Sequence, residues 1–392
     1  MWSNLRRGSL LLIPVVVASG LVANGSVAQA ANKKPVLIAA VVGASGAYGE
    51  IGKNMINAGK LAVAEINKRG GLLGRKVIFK YADDQGNPTL AGQLVQKFVG
   101  DGAIAIVGSG DTGPATAAMS GKLHIPDIGI VDGGGPTVYP KGPGTPPLKW
   151  IFEYSTSTYE LGGKLAQYAL AHCKATAVLH DQTSYGVGAA QAIKLGFAKA
   201  KKQLVLNDTI TEDWSSASTV DASPEVKRVQ SSGADCVVPW LNPEDAARFV
   251  QTADNLGIKF TILANDAAYG DVTFPKLAGK SANGVISAQL AALITPNAAL
   301  TKYQADYQAQ FGATADIYGA QSYDSIMLLA QVVNKIKSLD KAKIRDAMEH
   351  VSGYHGITGV LGFSPSNHES IDPISLTYIK YDFAKKAWLP LM

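Results

Sequence analysis

The sequence predicts an α/β protein built as two lobes, each a parallel sheet covered by helices. Compact apolar runs alternate with segments of helical period along most of the chain, the signature of parallel strands joined by crossover helices. A Gly- and Pro-rich stretch at 132–149 breaks this alternation, which then resumes. The length of 392 residues, 47% hydrophobic and 17% charged, suffices for two cores.

Ahead of the first element, Arg6-Arg7, an uncharged apolar run from Leu10 to about Val22 and the small residues of Ala28-Gln29-Ala30 read as a secretory signal over 1–30, cleaved after Ala30. The run is short for a membrane span and carries Pro14.

Val36–Val42 is a compact apolar strand. Gly49–Lys68 carries Ile51, Met55, Ala58, Ala62 and Ile66 on one helical stripe, and Gly70-Gly71 stops it. Strand Lys76–Ala82 follows, then a helix from Pro88 to Val99 with proline at an early position. Strand Ile104–Val107, helix Gly113–Leu123 and strand Asp127–Ile130 complete the first run. Residues 132–149 hold no periodic segment and read as a long surface loop.

The second run comprises helix Thr158–Ala171, strand Ala175–His180, helix Gly186–Ala200, strand Leu204–Ile210, helix Pro224–Ser231, strand Val237–Trp240, helix Pro243–Leu256, and strands Phe260–Ala264 and Gly284–Ala288. Helices Asn297–Phe311 and Ile317–Lys335 and short strands Val360–Phe363 and Leu376–Tyr381 close the chain.

The net charge of +5 is mild and its Lys and Arg are scattered, which argues against nucleic acid. The two cysteines, Cys173 and Cys236, each stand at the start of an expected strand. They can pair in an oxidising compartment or remain two buried thiols; like positions on neighbouring parallel strands favour the disulfide. Enzyme signatures are poor. There is no G-x-S-x-G elbow and no His/Cys set with zinc spacing, so no catalytic residue, cofactor or metal is expected.

Ligands of open α/β sheets bind at the carboxyl ends of the strands, which selects the loops. Gly108-Ser109-Gly110-Asp111-Thr112-Gly113 fits G-x-G-x-x-G between a strand and a helix. It lies on the third strand, in a chain bearing an export signal, so the dinucleotide reading yields to a general one. Backbone N–H groups at a helix N-terminus attract an anion. Ser109, Asp111 and Thr112 are therefore candidates, with Thr112 as a hydroxyl donor; a tight turn capped by Asp111 or Thr112 is the plainer alternative. Gly133 to Gly135 permit close backbone approach to a ligand, or simply a flexible loop. Tyr48, Tyr185 and Trp240 follow or end strands, and Asp266 ends another. Aromatic faces with one carboxylate suit an ammonium group, although lobe packing and a local turn would use the same residues. Asp83-Asp84 reads as a loop start and helix cap.

These loops, in this order, resemble the periplasmic leucine/isoleucine/valine-binding protein family of ABC transporters, from about Lys34 to Asp382. The likeness rests on Gly46-Ala47-Tyr48-Gly49, Ala58-Gly59 and Ala64-Glu65-Ile66-Asn67 within Val36–Gly71. It continues through Tyr81-Ala82-Asp83-Asp84 to Ile106-Val107-Gly108, His180-Asp181 with Tyr185-Gly186 and Gly188, and Tyr318 to Asp324. The resemblance implies two lobes joined by three crossover hinges near Phe152–Thr156, Ser287–Leu293 and Phe363–Pro373, with the ligand cleft between them. The lobes would be 31–153 plus 290–365, and 154–289 plus 366–392. It implies a monomeric, non-enzymatic periplasmic protein that closes on an amino acid or related carboxylate or amide and delivers it to a permease. A sensory module or an aromatic-acid carrier would share the fold. The resemblance places the ligand carboxylate at Ser109–Gly113 and Gly133–Gly135, its amino group at Asp266, and aromatic walls at Tyr48, Tyr185, Trp240 and Tyr318. The chain departs from the family at Asp111, at the glycines after Asp132 where a Thr often stands, and at Glu153 in place of an Arg. These departures point away from an unmodified branched-chain amino acid.

Overall fold

The computed structural model describes residues 33–391 apart from 47–48, 109, 111, 131–133, 143, 211–220, 267, 269–272, 291–296 and 370–375. The expected signal segment and Tyr48, Ser109, Asp111 and Gly133 lie outside the described residues.

Residues 35–392 form one compact unit holding two main sheets. The first contains β1 (Val36–Val42), β2 (Val77–Asp83), β3 (Ala103–Gly108), β4 (Asp127–Gly129) and β5 (Ile151–Glu153), in the order β2-β1-β3-β4-β5. Every neighbouring pair is parallel. The wholly buried β1 shows why an uninterrupted apolar run was needed. Val36, Ile38, Ala40 and Val42 enter one hydrophobic cluster, and Leu37, Ala39 and Val41 enter another. Successive side chains point to opposite faces, and both faces are covered.

The covering helices are α1 (Gly49–Lys68), α2 (Pro88–Gly100), α3 (Gly113–Leu123) and the single turn α4 (Gly135–Val138). All five residues of the expected stripe on α1 are buried; a fully buried Ile or Met contributes about 1.5–3 kcal/mol. Helix α2 is capped by Asn87, whose side chain accepts from the N–H groups of Thr89 and Leu90, so the expected capping role of Asp83-Asp84 passes to a later residue. The turn α4 lies inside the stretch expected to be a plain loop, because one helical turn is too short to show a period.

The second region contains α5 (Thr158–His172), β6 (Thr176–His180), α6 (Ser184–Lys199), β7 (Leu206–Thr209), α7 (Ser223–Ser231), β8 (Cys236–Trp240), α8 (Pro243–Asn255) and β9 (Thr261–Ile262). Its parallel sheet has the order β7-β6-β8-β9. Helix α9 (Thr273–Ala278) leads to β10 (Ile286–Leu290), whose Ile286 bridges in parallel to Leu263. Helices α10 (Ala298–Phe311), α11 (Ile317–Ile336) and α12 (Lys341–Met348) follow, and α11 packs along α1 of the first region. A small hairpin, β11 (Tyr354–His355) with β12 (Val360–Leu361), precedes β13 (Leu376–Asp382) and β14 (Ala387–Pro390), which extend β10 in antiparallel fashion. The sequence pattern did not reveal α9, α12 or β14, each of eight residues or fewer.

The chain thus passes between the two sheet regions three times: after β5, between β10 and α10, and between β12 and β13. The first and third passages run side by side, with Glu153 bridged in parallel to Glu369 and the Glu153 N–H donating to the His368 carbonyl at 2.8 Å.

Cys173 and Cys236 form a disulfide with Cα atoms 5.9 Å apart. The sequence expected like positions at two strand starts, and the structure corrects this. Cys173 is the C-cap of α5, while Cys236 opens β8 opposite Thr176. Among the described residues no helix is long and apolar enough to cross a membrane.

Candidate functional site

Both parallel sheets reverse their strand order once, between β1 and β3 and between β6 and β8. Such a reversal leaves a crevice beyond the strand ends because neighbouring connections depart to opposite faces. Four loops flank these points, after β1, β3, β6 and β8, and they are among the loops that the sequence singled out.

In the first region the strand ends are tied together by carboxylates. Asp83 accepts from the N–H groups of Ala44 and Gln85, both at 2.9 Å. Burial pushes its carboxyl up, but hydrogen bonds from Ser45, Gln85 and Ala44 outweigh this and leave it below the usual range. Asp84 accepts from the Gly86 N–H at 2.9 Å and from the Thr112 hydroxyl at 2.7 Å. Asp84 and Thr112 are each 1% exposed. The structure therefore gives the hydroxyl proton of Thr112 to Asp84, whereas the sequence assigned it to a ligand.

The first turn of α3 is also internally engaged. Gly113 donates to the Gly110 carbonyl, Ala115 and Thr116 donate to the Thr112 carbonyl, and Pro114 has no N–H. The first-turn N–H groups of Gly113, Ala115 and Thr116 are therefore spent within the helix and its own loop. Gly108, at φ +104°, is required where it stands, since a Cβ would lie 2.6 Å from Val42 Cγ1 and 2.9 Å from the Val41 carbonyl oxygen.

Gly135 opens α4 and packs against Tyr159 in the first turns of α5. A Cβ at Gly135 would fall 2.2 Å from Tyr159 Cδ2. This glycine admits a ring from its own chain.

In the second region Thr183 caps α6, accepting from the Gly186 N–H at 3.3 Å, and itself donates to Asp181. Burial pushes the Asp181 carboxyl up. The next helical residues bring Tyr185 beside the end of β8, its ring 5.4 Å from that of Trp240. The Tyr185 hydroxyl donates to Asp266 Oδ1. Trp240 is fully buried, and its indole N–H has no acceptor among the described residues. Buried indole N–H groups ordinarily find an acceptor. The structure thus brings Tyr185, Trp240 and Asp266 together. Tyr318 lies buried in the first turn of α11, with Asp316 capping that helix through the Gly319 N–H.

Three polar residues join the picture only in the structure. Asn265, wholly buried, donates to the Leu241 carbonyl at 2.7 Å and accepts from the Ala268 N–H, while its own carbonyl accepts from Ser287. It locks the strand ends of β8, β9 and β10 around Asp266. Gln289 on β10 is wholly buried, and its side-chain NH₂ has no acceptor among the described residues. Thr156, after the first passage, is 8% exposed, and its hydroxyl has no partner among the described residues. Gln289 had a sequence signal, a polar amide inside the run Ile286–Leu290; Thr156 had none.

A family model described as periplasmic binding protein matches residues 35–386. Leu/Ile/Val-binding protein homolog 2 of Brucella abortus is 24% identical over 359 residues, 88% of this chain and 89% of that protein. Among solved structures, a periplasmic binding protein type 1 from Bordetella pertussis superposes with a TM-score of 0.82 at 20% identity, covering 91% of this chain and 100% of the other. A solute-binding protein of an ABC transporter from Rhodopseudomonas palustris, solved with 3,4-dihydroxybenzoic acid, does so at 0.76 and 19%, covering 92% and 97%. These likenesses match the fold expected from the sequence.

Proposed function

The chain belongs to the periplasmic binding protein family, and on that premise we propose that it is the substrate-binding component of an ABC importer. It captures an amino acid or a related small polar carboxylate or amide and delivers it to a membrane permease. The signal segment 1–30 sends it to the periplasm, where it acts as a monomer without catalytic chemistry. Its lobes are 31–153 plus 290–365 and 154–289 plus 366–392. The three passages serve as hinges, and a ligand that touches both lobes at once favours the closed arrangement.

The observation that carries this reading is the Tyr185–Trp240–Asp266 group at the strand ends of the second sheet. Asp266 meets an ammonium or amide N–H, the two rings form a wall, and the buried Trp240 N–H takes an acceptor atom of the ligand. Backbone N–H groups of the loop at Ser109–Thr112, with Gly133 and Gly135, hold the acceptor-rich end; Tyr48 and Tyr318 complete the walls.

A second reading, an aromatic-acid carrier, draws support from Trp240 and from the dihydroxybenzoate-bound relative. A sensory module would use the same site without transport.

A thermal-shift screen over amino acids, amides and aromatic acids, with calorimetry on the hits, tests the proposal. A ligand at about a hundred times Kd adds roughly 2.7 kcal/mol of stability. Asp266→Ala should weaken an ammonium-bearing ligand by more than about tenfold. Unchanged affinity would remove Asp266 from the site, and hits confined to aromatic acids would select the second reading.

A further inference from the structure

Ser322, Tyr323, Asp324 and Ser325, consecutive on α11, are all engaged by their own chain. Ser322 donates to the Met55 carbonyl of α1 at 3.2 Å, and Ser325 donates to the Ser322 carbonyl at 2.9 Å. The Tyr323 hydroxyl donates to Glu65, and Asp324 accepts from the Ile357 N–H at 2.8 Å. Gln321, the residue before them, differs. It is 1% exposed, yet its side-chain oxygen has no hydrogen-bond partner among the described residues. Leaving a buried amide oxygen without a donor works against folding, and in a native protein such a group calls for an explanation.

Its position supplies one. The contact of Ser322 with Met55 fixes this stretch of the helix against α1. Met55 in turn reaches the end of β3, where a Cβ added at Gly108 would lie 3.5 Å from Met55 Cε. Tyr318 lies one helical turn before Gln321, so the two side chains share one side of α11. The unpaired amide thus stands close to the carboxyl end of β3, at the reversal of strand order in the first sheet.

We propose that Gln321 is a specificity-determining residue of the strand-end site and selects a ligand bearing a carboxamide or ureido group. Such a group carries an N–H donor and a carbonyl acceptor side by side, the complement of the Gln321 amide, so both partners are satisfied by a pair of parallel hydrogen bonds. A carboxylate offers acceptors alone and leaves the Gln321 oxygen unpaired. This role rests on the strand ends being the binding site, and it narrows the ligand class assigned to them.

The test is calorimetric titration of the full protein with benzamide and with benzoate, which match in shape and differ in that benzamide carries N–H donors. Benzamide should bind about tenfold tighter. Gln321→Met should remove that preference. It should also raise the melting temperature of the ligand-free protein, because an apolar side chain of similar length replaces an unpaired buried amide. A group that serves only the fold would lower it instead. The proposal is overturned if neither probe binds, if benzoate binds as well as benzamide, if the preference survives in Gln321→Met, or if that variant is less stable without ligand. A preference for benzoate would strike the role of Gln321 and leave the strand-end site standing, whereas a protein that binds none of the amino acids, amides and aromatic acids would strike both.

Discussion

Asp324 on α11 holds Thr358 twice, accepting from its N–H at 2.8 Å and from its hydroxyl at 2.6 Å. The other carboxylate oxygen accepts from the Ile357 N–H at 2.8 Å. One buried side chain thus fastens the β11–β12 hairpin to the long helix that packs on α1.

This latch predicts a pH dependence of opposite sign to ordinary acid denaturation. Burial raises the Asp324 carboxyl from the usual 3.8 to about 6, despite the hydrogen bonds that oppose it. Between those values the folded protein holds a proton that the unfolded chain has released. The group's contribution is fully present below 3.8 and is lost as pH rises through about 6. The gap corresponds to about 3 kcal/mol. Denaturant unfolding of the wild type and of Asp324→Asn from pH 4 to 7 measures it. The stability advantage of the wild type should shrink by that order across the range; a constant difference would show that Asp324 does not titrate there.

The Thr112–Asp84 pair predicts a structural effect where the sequence expected a ligand contact. Thr112→Val leaves a buried carboxylate oxygen without its donor, at a cost of about 1–3 kcal/mol in the ligand-free protein. Thr112→Ser should recover most of it. An unchanged melting temperature for the ligand-free Val variant would return the hydroxyl to the ligand.

The fit of Gly135 against Tyr159 predicts strong coupling between the two positions. Gly135→Ala forces a methyl group into the ring and should cost about 1–3 kcal/mol. In a Tyr159→Ala background the same change should cost much less, because the obstructing atoms are gone. Additive effects in this double-mutant cycle would mean that the ring yields freely.

The disulfide joins residues 63 positions apart. Chain-entropy arguments assign a closed loop of that size about 4 kcal/mol. Replacing both Cys173 and Cys236 by Ser should lower unfolding stability by that order, and adding reductant to the variant should then have no further effect. Equal stability of the variant and the oxidised wild type would contradict this.

Much of the fold was legible in the sequence. The strand Val36–Val42, the helix Gly49–Lys68 and the helix Gly113–Leu123 stand where their apolar patterns placed them. A strand buried on both faces and a helix buried along one stripe each leave a regular imprint on the chain. Short elements such as α4 and α9 span too few residues to carry a period. The site was legible as a set of loops, because strand ends follow from strand positions. The partners within it were not: the sequence does not show that Tyr185 meets Asp266, that Thr112 serves Asp84, or that a ring fills the space beside Gly135.

By itself, then, the sequence determined the fold class and the division into two alternating runs, since each depends on local patterns of burial. Only the tertiary structure decided which polar groups are spent on their own chain. A hydrogen bond is a matter of a few tenths of an ångström between residues distant in sequence, and no local pattern records that distance.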